Sequence, residues 1–229
     1  MVSLDSYKQQ AAERALDHVQ SGMRIGLGTG STARYVVEGL ATRLRDGRLR
    51  DIVGVPTSQA TAALARSLDI PLTTLNEQPT LDLAIDGADE IDPRLDLIKG
   101  LGGALLREKI VAAAANQLVI VADHTKIVHM LGEHTALPVE VIAFGLRPCE
   151  QHLRNLGCVP LLRRRPDGSP FETDEGNRIL DCRFNAISEP ASLSVALRVI
   201  PGVVDHGLFV DMATIVYVAG VDGVTVLQR

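Results

Sequence analysis

The stretch Arg24-Ile25-Gly26-Leu27-Gly28-Thr29-Gly30-Ser31-Thr32 decides the fold class. A short apolar run ends in a Gly/Thr/Ser turn, and residues 31–45 then read as a helix. Strand, tight loop and helix in that order build a parallel sheet, because a parallel neighbour needs a crossover connection. The same order recurs downstream. Residues 51–55 read as a strand ending at Pro56, and 58–68 as a helix. Residues 81–86 read as a strand with Leu81, Leu83 and Ile85 on one face. A Gly-rich loop then leads to a helix over 105–115 and a buried strand over 118–122. Residues 3–19, upstream of all this, have the pattern of an amphipathic helix. The expectation is an α/β fold, a Rossmann-like open parallel sheet with helices on both faces.

The pattern changes after Leu131. Strands are expected over 138–144, 158–164, 178–183 and 203–210, with helices over 148–156 and 191–199. The polar turn Pro166-Asp167-Gly168-Ser169-Pro170 separates the second strand from the third. This β-α-β-β-α-β order predicts a smaller ferredoxin-like α+β domain. Residues 213–218 and 224–227 are strand-like and are expected to rejoin the first sheet. The division is therefore residues 1–130 with 211–229 as a Rossmann-like catalytic domain, and 131–210 as the ferredoxin-like one.

Composition narrows the function. With 23 basic against 28 acidic side chains, the formal charge is −5, so no basic excess exists to displace counterions from nucleic acid or an anionic membrane. Aromatic residues are 3% and Trp is absent, which argues against base-stacking platforms. Cys149, Cys158 and Cys182 form no Cys-x-x-Cys pair, so reduced thiols are expected and a metal role is not. The opening Met1-Val2-Ser3-Leu4-Asp5 lacks a basic-then-apolar leader. The greasiest stretch, 110–122, is broken by Asn116 and Gln117 and too short to cross a bilayer. A cytoplasmic protein is expected, without nucleic-acid or membrane partners.

In open α/β sheets ligands bind outside the carboxyl ends of the strands, and five polar or Gly-rich segments fall there. In the first, Gly26–Thr32, glycines let the backbone turn and a helix start offers N–H groups to an anion. It is neither a Walker loop nor a dinucleotide fingerprint, since Ser31 stands where a third Gly belongs. A plain Gly turn with a Ser N-cap is the competing reading. The second, Asp86-Gly87-Ala88-Asp89-Glu90-Ile91-Asp92, packs four carboxylates into seven residues. Alone it reads as a solvated acidic turn, but Asp86 continues an apolar strand to the binding end of the sheet.

The third segment is Lys99-Gly100-Leu101-Gly102-Gly103-Ala104, leading to Arg107-Glu108-Lys109. Lys99 can stabilise an oxyanion and a partly desolvated Glu108 can act as general base. Taken alone, Arg107–Lys109 reads as a solvent-facing charged turn. The fourth, Asp123-His124-Thr125-Lys126, offers Lys126 to a phosphate. His124, His129 and His134 match no usual zinc spacing. The fifth, Pro56-Thr57-Ser58, reads first as a helix N-cap.

Gly-Thr-Gly-Ser-Thr, Asp-Gly-Ala-Asp-Glu and Lys-Gly-x-Gly ending in Arg-Glu-Lys, in this order and spacing, resemble ribose-5-phosphate isomerase of the A type. The likeness runs over essentially the whole chain. It includes Leu137-Pro138-Val139-Glu140-Val141, Gly176-Asn177-Arg178-Ile179-Leu180-Asp181 and Ile200-Pro201-Gly202-Val203-Val204. The resemblance implies interconversion of ribose 5-phosphate and ribulose 5-phosphate without metal or organic cofactor. It implies Glu108 as the base shuttling a proton between C1 and C2, Asp86 and Asp89 on the sugar, and Lys99 on the enediolate oxygen. It also implies substrate contacts from Thr29, Gly30, Ser31, Thr32, Gly87, Ala88, Gly100, Leu101, Gly102 and Lys126. Lys8 is a further phosphate candidate, and the subunits are expected to form dimers or tetramers. One departure is Leu101, where the family usually has Gly; the Lys99-to-Glu108 spacing is unchanged.

The residue types fit that chemistry on their own terms. Aldose–ketose isomerisation needs a base beside a carbon-bound proton, a cation at the carbonyl oxygen and an anion anchor. Glu108, Lys99 and the first Gly loop supply them. Two other classes compete. A sugar-phosphate sensor would bind without turnover, although no basic helix-turn-helix region accompanies the domain. A CoA-transferase-like enzyme would use a Glu as nucleophile. A nicotinamide-dependent dehydrogenase is disfavoured by the failed fingerprint.

Overall fold

The computed structural model describes residues 3–229. Met1 and Val2, where the stretch read as lacking a leader begins, lie outside the described residues. Helix α1 (Leu4–Ala15) is capped by the Ser3 hydroxyl, which accepts from the Ser6 N–H, and it buries Tyr7, Ala11 and Ala15 at i, i+4, i+8. The last part of the expected 3–19 helix is a 3₁₀ turn, Leu16–His18. Strand β1 (Arg24–Leu27) runs into α2 (Ser31–Arg45), whose inner stripe is Ala33, Val36, Val37, Leu40 and Ala41. Then come β2 (Val53–Pro56), α3 (Gln59–Ser67) and β3 (Leu83–Gly87). Two short strands follow, β4 (Glu90–Ile91) and β5 (Leu97–Ile98), before α4 (Leu105–Ala114) and β6 (Leu118–Asp123). The remainder is β7 (Leu137–Val141), α5 (Leu146–Asn155), β8 (Val159–Leu162), β9 (Arg178–Arg183) and α6 (Pro190–Arg198). The chain ends with β10 (Val203–His206), β11 (Leu208–Phe209), β12 (Ile215–Gly220) and β13 (Gly223–Gln228).

These elements group into two compact units. One takes the chain up to Ala88 with Arg107–Lys126 and Met212–Arg229; the other takes Asp89–Leu106 and Ile127–Asp211. In the first, a six-stranded sheet has the order β13-β12-β6-β3-β1-β2. Every pairing is parallel except the β12–β13 hairpin. Ile25, Leu27, Leu83, Ile85, Val119 and Val121 face α1 and α2 in one core. On the opposite face Gly26 meets α4, where an added Cβ would lie 2.4 Å from Val111 Cγ1. Helices therefore cover both faces. From β1 the chain winds outward to β2 and returns to the other side of β1 as β3, so the sheet reverses direction between β1 and β3. Such a switch point is where open α/β sheets bind ligands.

In the second unit, β7-α5-β8-β9-α6-β10 forms an antiparallel sheet of order β10-β7-β9-β8, the ferredoxin-like arrangement. Val139, Val141, Leu153, Leu180 and Leu197 fill its core together with the three free thiols. Two features depart from the sequence reading. The strand expected over 203–210 breaks at Gly207, where β10 pairs with β7 and β11 turns to pair with β5. Gly207 donates its N–H to Pro138 O at 2.7 Å and accepts from Lys99 N at 2.9 Å. The resulting three-stranded sheet, β11-β5-β4, was not expected, since two-residue strands are too short to show alternation. It also places residues 89–106, counted with the first domain in the sequence, in the second unit.

Candidate active site

In the first unit the Gly loop after β1 closes directly on the end of β3. Thr29 donates its N–H to Asp86 Oδ1 at 3.1 Å, and Gly87 donates to the same oxygen at 2.7 Å. Asp86 is 3% exposed, so its carboxylate sits in the sheet end as the apolar strand pattern predicts. Gly28 is required here, because a Cβ would lie 2.2 Å from Asp86 Oδ1 and 2.6 Å from the Asp86 Cα. The Thr29 hydroxyl turns the other way, into a cluster with Thr57 Oγ1 (2.7 Å), Ser58 Oγ (2.9 Å) and Thr61 Oγ1 (3.1 Å). Thr61 and Thr57 in turn donate to the carbonyls of Gly28 and Leu27. Ser58 also caps α3, as expected.

The helix after the loop is not capped by Ser31. Gly30, at φ +116°, is the N-cap and supplies no side chain, while Ser31 is exposed and Thr32 is buried. An extended Gly cap leaves first-turn amides without a side-chain acceptor, the arrangement that receives anions. Glu108 stands in the first turn of α4 at 4% exposure, and Lys109 beside it at 5%. The solvent-facing charged turn read from Arg107–Lys109 in isolation is thus replaced by two buried ionisable groups. Gly87 and Ala88 are half-buried. Lys126 is half-buried on the 3₁₀ turn His124–Lys126 beyond β6, and Lys8 pairs with Asp5 at 3.2 Å.

In the second unit Asp89 accepts from the Leu101 N–H at 3.0 Å. Lys99 is buried to 2% exposure, with its ammonium 5.4 Å from the Phe209 ring centre. Gly100 is buried, whereas Leu101 and Gly102 are exposed. The acidic segment divides in role. Glu90 is 1% exposed and accepts from the N–H groups of Gly132 (2.6 Å), His134 (2.7 Å) and Thr135. Asp92 Oδ1 accepts from Arg94 N and Asp96 N, both at 2.9 Å. These two carboxylates fasten loops, so the solvated acidic turn is not what folds. Sequence reading missed the hydroxyl cluster around Thr29, since Thr61 carries no local signal beyond its place in a helix. It also missed Arg163, whose guanidinium reaches the Gly100 and Leu101 carbonyls from the far side of the chain.

Comparison with known proteins shows the family. The family described as ribose 5-phosphate isomerase A (phosphoriboisomerase A) matches residues 53–223. A ribose-5-phosphate isomerase A from Roseiflexus sp. is 62% identical over 97% of this chain and 95% of its own. The chain belongs to the ribose 5-phosphate isomerase A family. Solved structures agree in fold. A D-ribose-5-phosphate isomerase in complex with phospho-erythronic acid superposes with a TM-score of 0.98 at 39% identity, covering 100% of both chains. The ribose 5-phosphate isomerase from Plasmodium falciparum gives 0.95 at 42%, covering 98% of this chain and 99% of its own. Among the described residues no helix is long and apolar enough to cross a membrane.

Proposed function

We propose that the chain carries out the reaction of its family, interconverting D-ribose 5-phosphate and D-ribulose 5-phosphate through an enediolate. Glu108 takes the proton from one of C1 and C2 and returns it to the other. A single base serves both half-steps because the proton leaves and returns on one face of the planar intermediate. Lys99 stabilises the charge that develops on the carbonyl oxygen, where a fixed cation out of water is worth far more than an exposed one. Asp86 and Asp89 bind sugar hydroxyls and assist ring opening. Residues 29–32 and Lys126 hold the phosphate end, with backbone contacts from Gly87, Ala88, Gly100, Leu101 and Gly102. The reaction is redox-neutral and its proton moves within the substrate, so the reading needs neither metal nor organic cofactor. A homodimer or homotetramer in the cytoplasm is the expected working state.

The observation that carries this reading is the burial of Lys99 and Glu108, at 2% and 4% exposure, inside the motif segments. Ionisable groups held out of water are candidates for catalysis. The phospho-erythronic acid held by the structural relative supports it, since an aldonic acid phosphate joins a planar carboxylate to a phosphate. The test is ribulose 5-phosphate formation from ribose 5-phosphate by the purified protein in chelator. Turnover is expected to persist undiminished. Strict dependence on an added metal, or binding of the sugar phosphate without turnover, contradicts the reading, and the latter outcome favours a sensor.

A further inference from the structure

The loop Lys99–Gly103 is held by side chains sixty and more positions away in sequence, all within the second unit. Asp181 on β9 stands opposite Leu161 of β8, and Arg163 lies two residues beyond Leu161, so Arg163 and Asp181 project from the same face. The guanidinium donates from Nε to Asp181 Oδ2 at 2.9 Å and from Nη2 to Oδ1, a two-pronged grip that fixes its plane. Nη1 then has two N–H groups left. They go to the carbonyl oxygens of Gly100 at 3.0 Å and Leu101 at 2.9 Å. The Arg163 side chain is only 12% exposed. Phe171 completes the support. Its ring centre lies 5.8 Å from the guanidinium carbon, and Gly103, at φ +84°, packs so closely that a Cβ would come 2.4 Å from its Cζ.

Fixing two consecutive carbonyls fixes two peptide planes. In a trans peptide the N–H points opposite to the C=O. With the Gly100 carbonyl on Arg163, the Leu101 N–H is turned away, and it meets Asp89. With the Leu101 carbonyl on Arg163, the Gly102 N–H is likewise aimed away from the guanidinium, from an exposed residue. Arg163, sharing the Gly100 carbonyl with the Gly103 N–H at 3.0 Å and holding the Leu101 carbonyl, thereby helps set the direction of one amide that meets Asp89 and of another on an exposed residue.

We infer that Arg163, gripped by Asp181, is a positioning residue for the isomerisation, aiming the backbone donors of the Lys99–Gly102 loop and the Asp89 carboxylate at the sugar. The inference rests on the reading above that this loop contacts substrate. A misplacement of about 1 Å in such a loop costs on the order of 100-fold in rate. Arg163→Met keeps the length and apolar stem while removing every donor. Its kcat/KM for ribose 5-phosphate is expected to fall on the order of 100-fold, with the larger share in kcat because transition-state contacts are lost. Arg163→Lys, which keeps the charge beside Asp181 and one donor group, is expected to fall between Met and wild type.

Thermal unfolding separates this from a structural role. A merely structural Arg163 would lower Tm in Arg163→Met and leave kcat and KM per folded molecule at wild-type values, which overturns the inference. If Arg163→Met does not fold, Arg163→Lys decides in the same way: reduced kcat supports it and wild-type kinetics overturn it. Lys99→Met, run alongside, tests the parent reading. Wild-type rates there remove the loop from the reaction and the inference with it. Impaired Lys99→Met beside an unimpaired Arg163→Met overturns the inference alone.

Discussion

The two Gly-rich loops are built on opposite plans. The first, after β1, is supported from close at hand. Asp86 at the end of the neighbouring strand takes the Thr29 amide, and Thr57, Ser58 and Thr61 at the start of the next helix surround the Thr29 hydroxyl. The second is supported from a distance, by Arg163, Phe171 and Asp181. A loop held by adjacent strand ends inherits the rigidity of the sheet. A loop whose carbonyls are gripped by a distant guanidinium depends on side-chain contacts more than on strand ends, and is correspondingly easier to loosen without unfolding the protein.

The contrast breaks most sharply at glycine. Gly28→Ala puts a Cβ against the Asp86 backbone, which cannot move without disrupting β3. Loss of activity by ~100-fold or more, with a clear fall in Tm, is expected from steady-state kinetics and thermal melts. Gly103→Ala meets only the tip of the Phe171 ring, which can swing aside, although the positive φ still strains an alanine. Its expected cost is ~1–3 kcal/mol of stability in urea titration, and Phe171→Leu in the same chain should recover part of it. Equal damage from the two alanines would erase the distinction between the loops.

Thr29→Val sharpens the picture of the first loop. It removes one hydrogen-bond partner from each of three buried hydroxyl groups, which keep their other bonds, for a near-isosteric change, and a loss of about 1 kcal/mol is expected by denaturant melts. A neutral result would mean that Thr57, Ser58 and Thr61 satisfy one another without it. The smallest effect lies at the outer edge of the second support. Glu140 on β7 accepts from Thr173 Oγ1 and Asn177 Nδ2, both at 2.9 Å. Burial pushes its carboxyl above the usual carboxylate range against those hydrogen bonds, and Glu175 and Asp205 push the same way.

A carboxyl raised on folding binds its proton more tightly in the native state. Its contribution is therefore full below the unfolded pKa and is lost as pH rises through the raised native value. Glu140→Gln keeps an acceptor for both donors and removes the charge. It should match wild type in acid and become the more stable of the two, by a few tenths to ~1 kcal/mol, as pH climbs past the carboxylate range. Tm measured across pH checks this, and a wild type that gains on the variant as pH rises contradicts it.

The same contrast explains what the sequence made legible. Strand, Gly loop and helix around residues 24–45 are local patterns, and the structure reproduces β1 and α2 with the expected bounds. The β-α-β-β-α-β order of the second unit was equally readable, because each element is long enough to carry a period. What stayed hidden depends on chain segments meeting from afar. Glu90 looks like a member of an acidic cluster until its amide donors at 132–135 are seen. Arg163 sits in the basic run Arg163-Arg164-Arg165, and nothing local distinguishes it from its exposed neighbours. The break at Gly207 is invisible for the same reason: only the approach of the Lys99 backbone calls for it.

The central claim is that Glu108 moves the proton. It is tested most directly by Glu108→Gln, which preserves shape and hydrogen-bonding capacity while removing the base. Initial rates of ribulose 5-phosphate formation would be compared with wild type at matched far-UV spectra and Tm. A fall of about 10²–10⁴-fold in kcat is expected for removal of a general base. A folded Glu108→Gln that turns over at the wild-type rate would contradict the assignment, leaving the reaction in place and the base to be sought elsewhere.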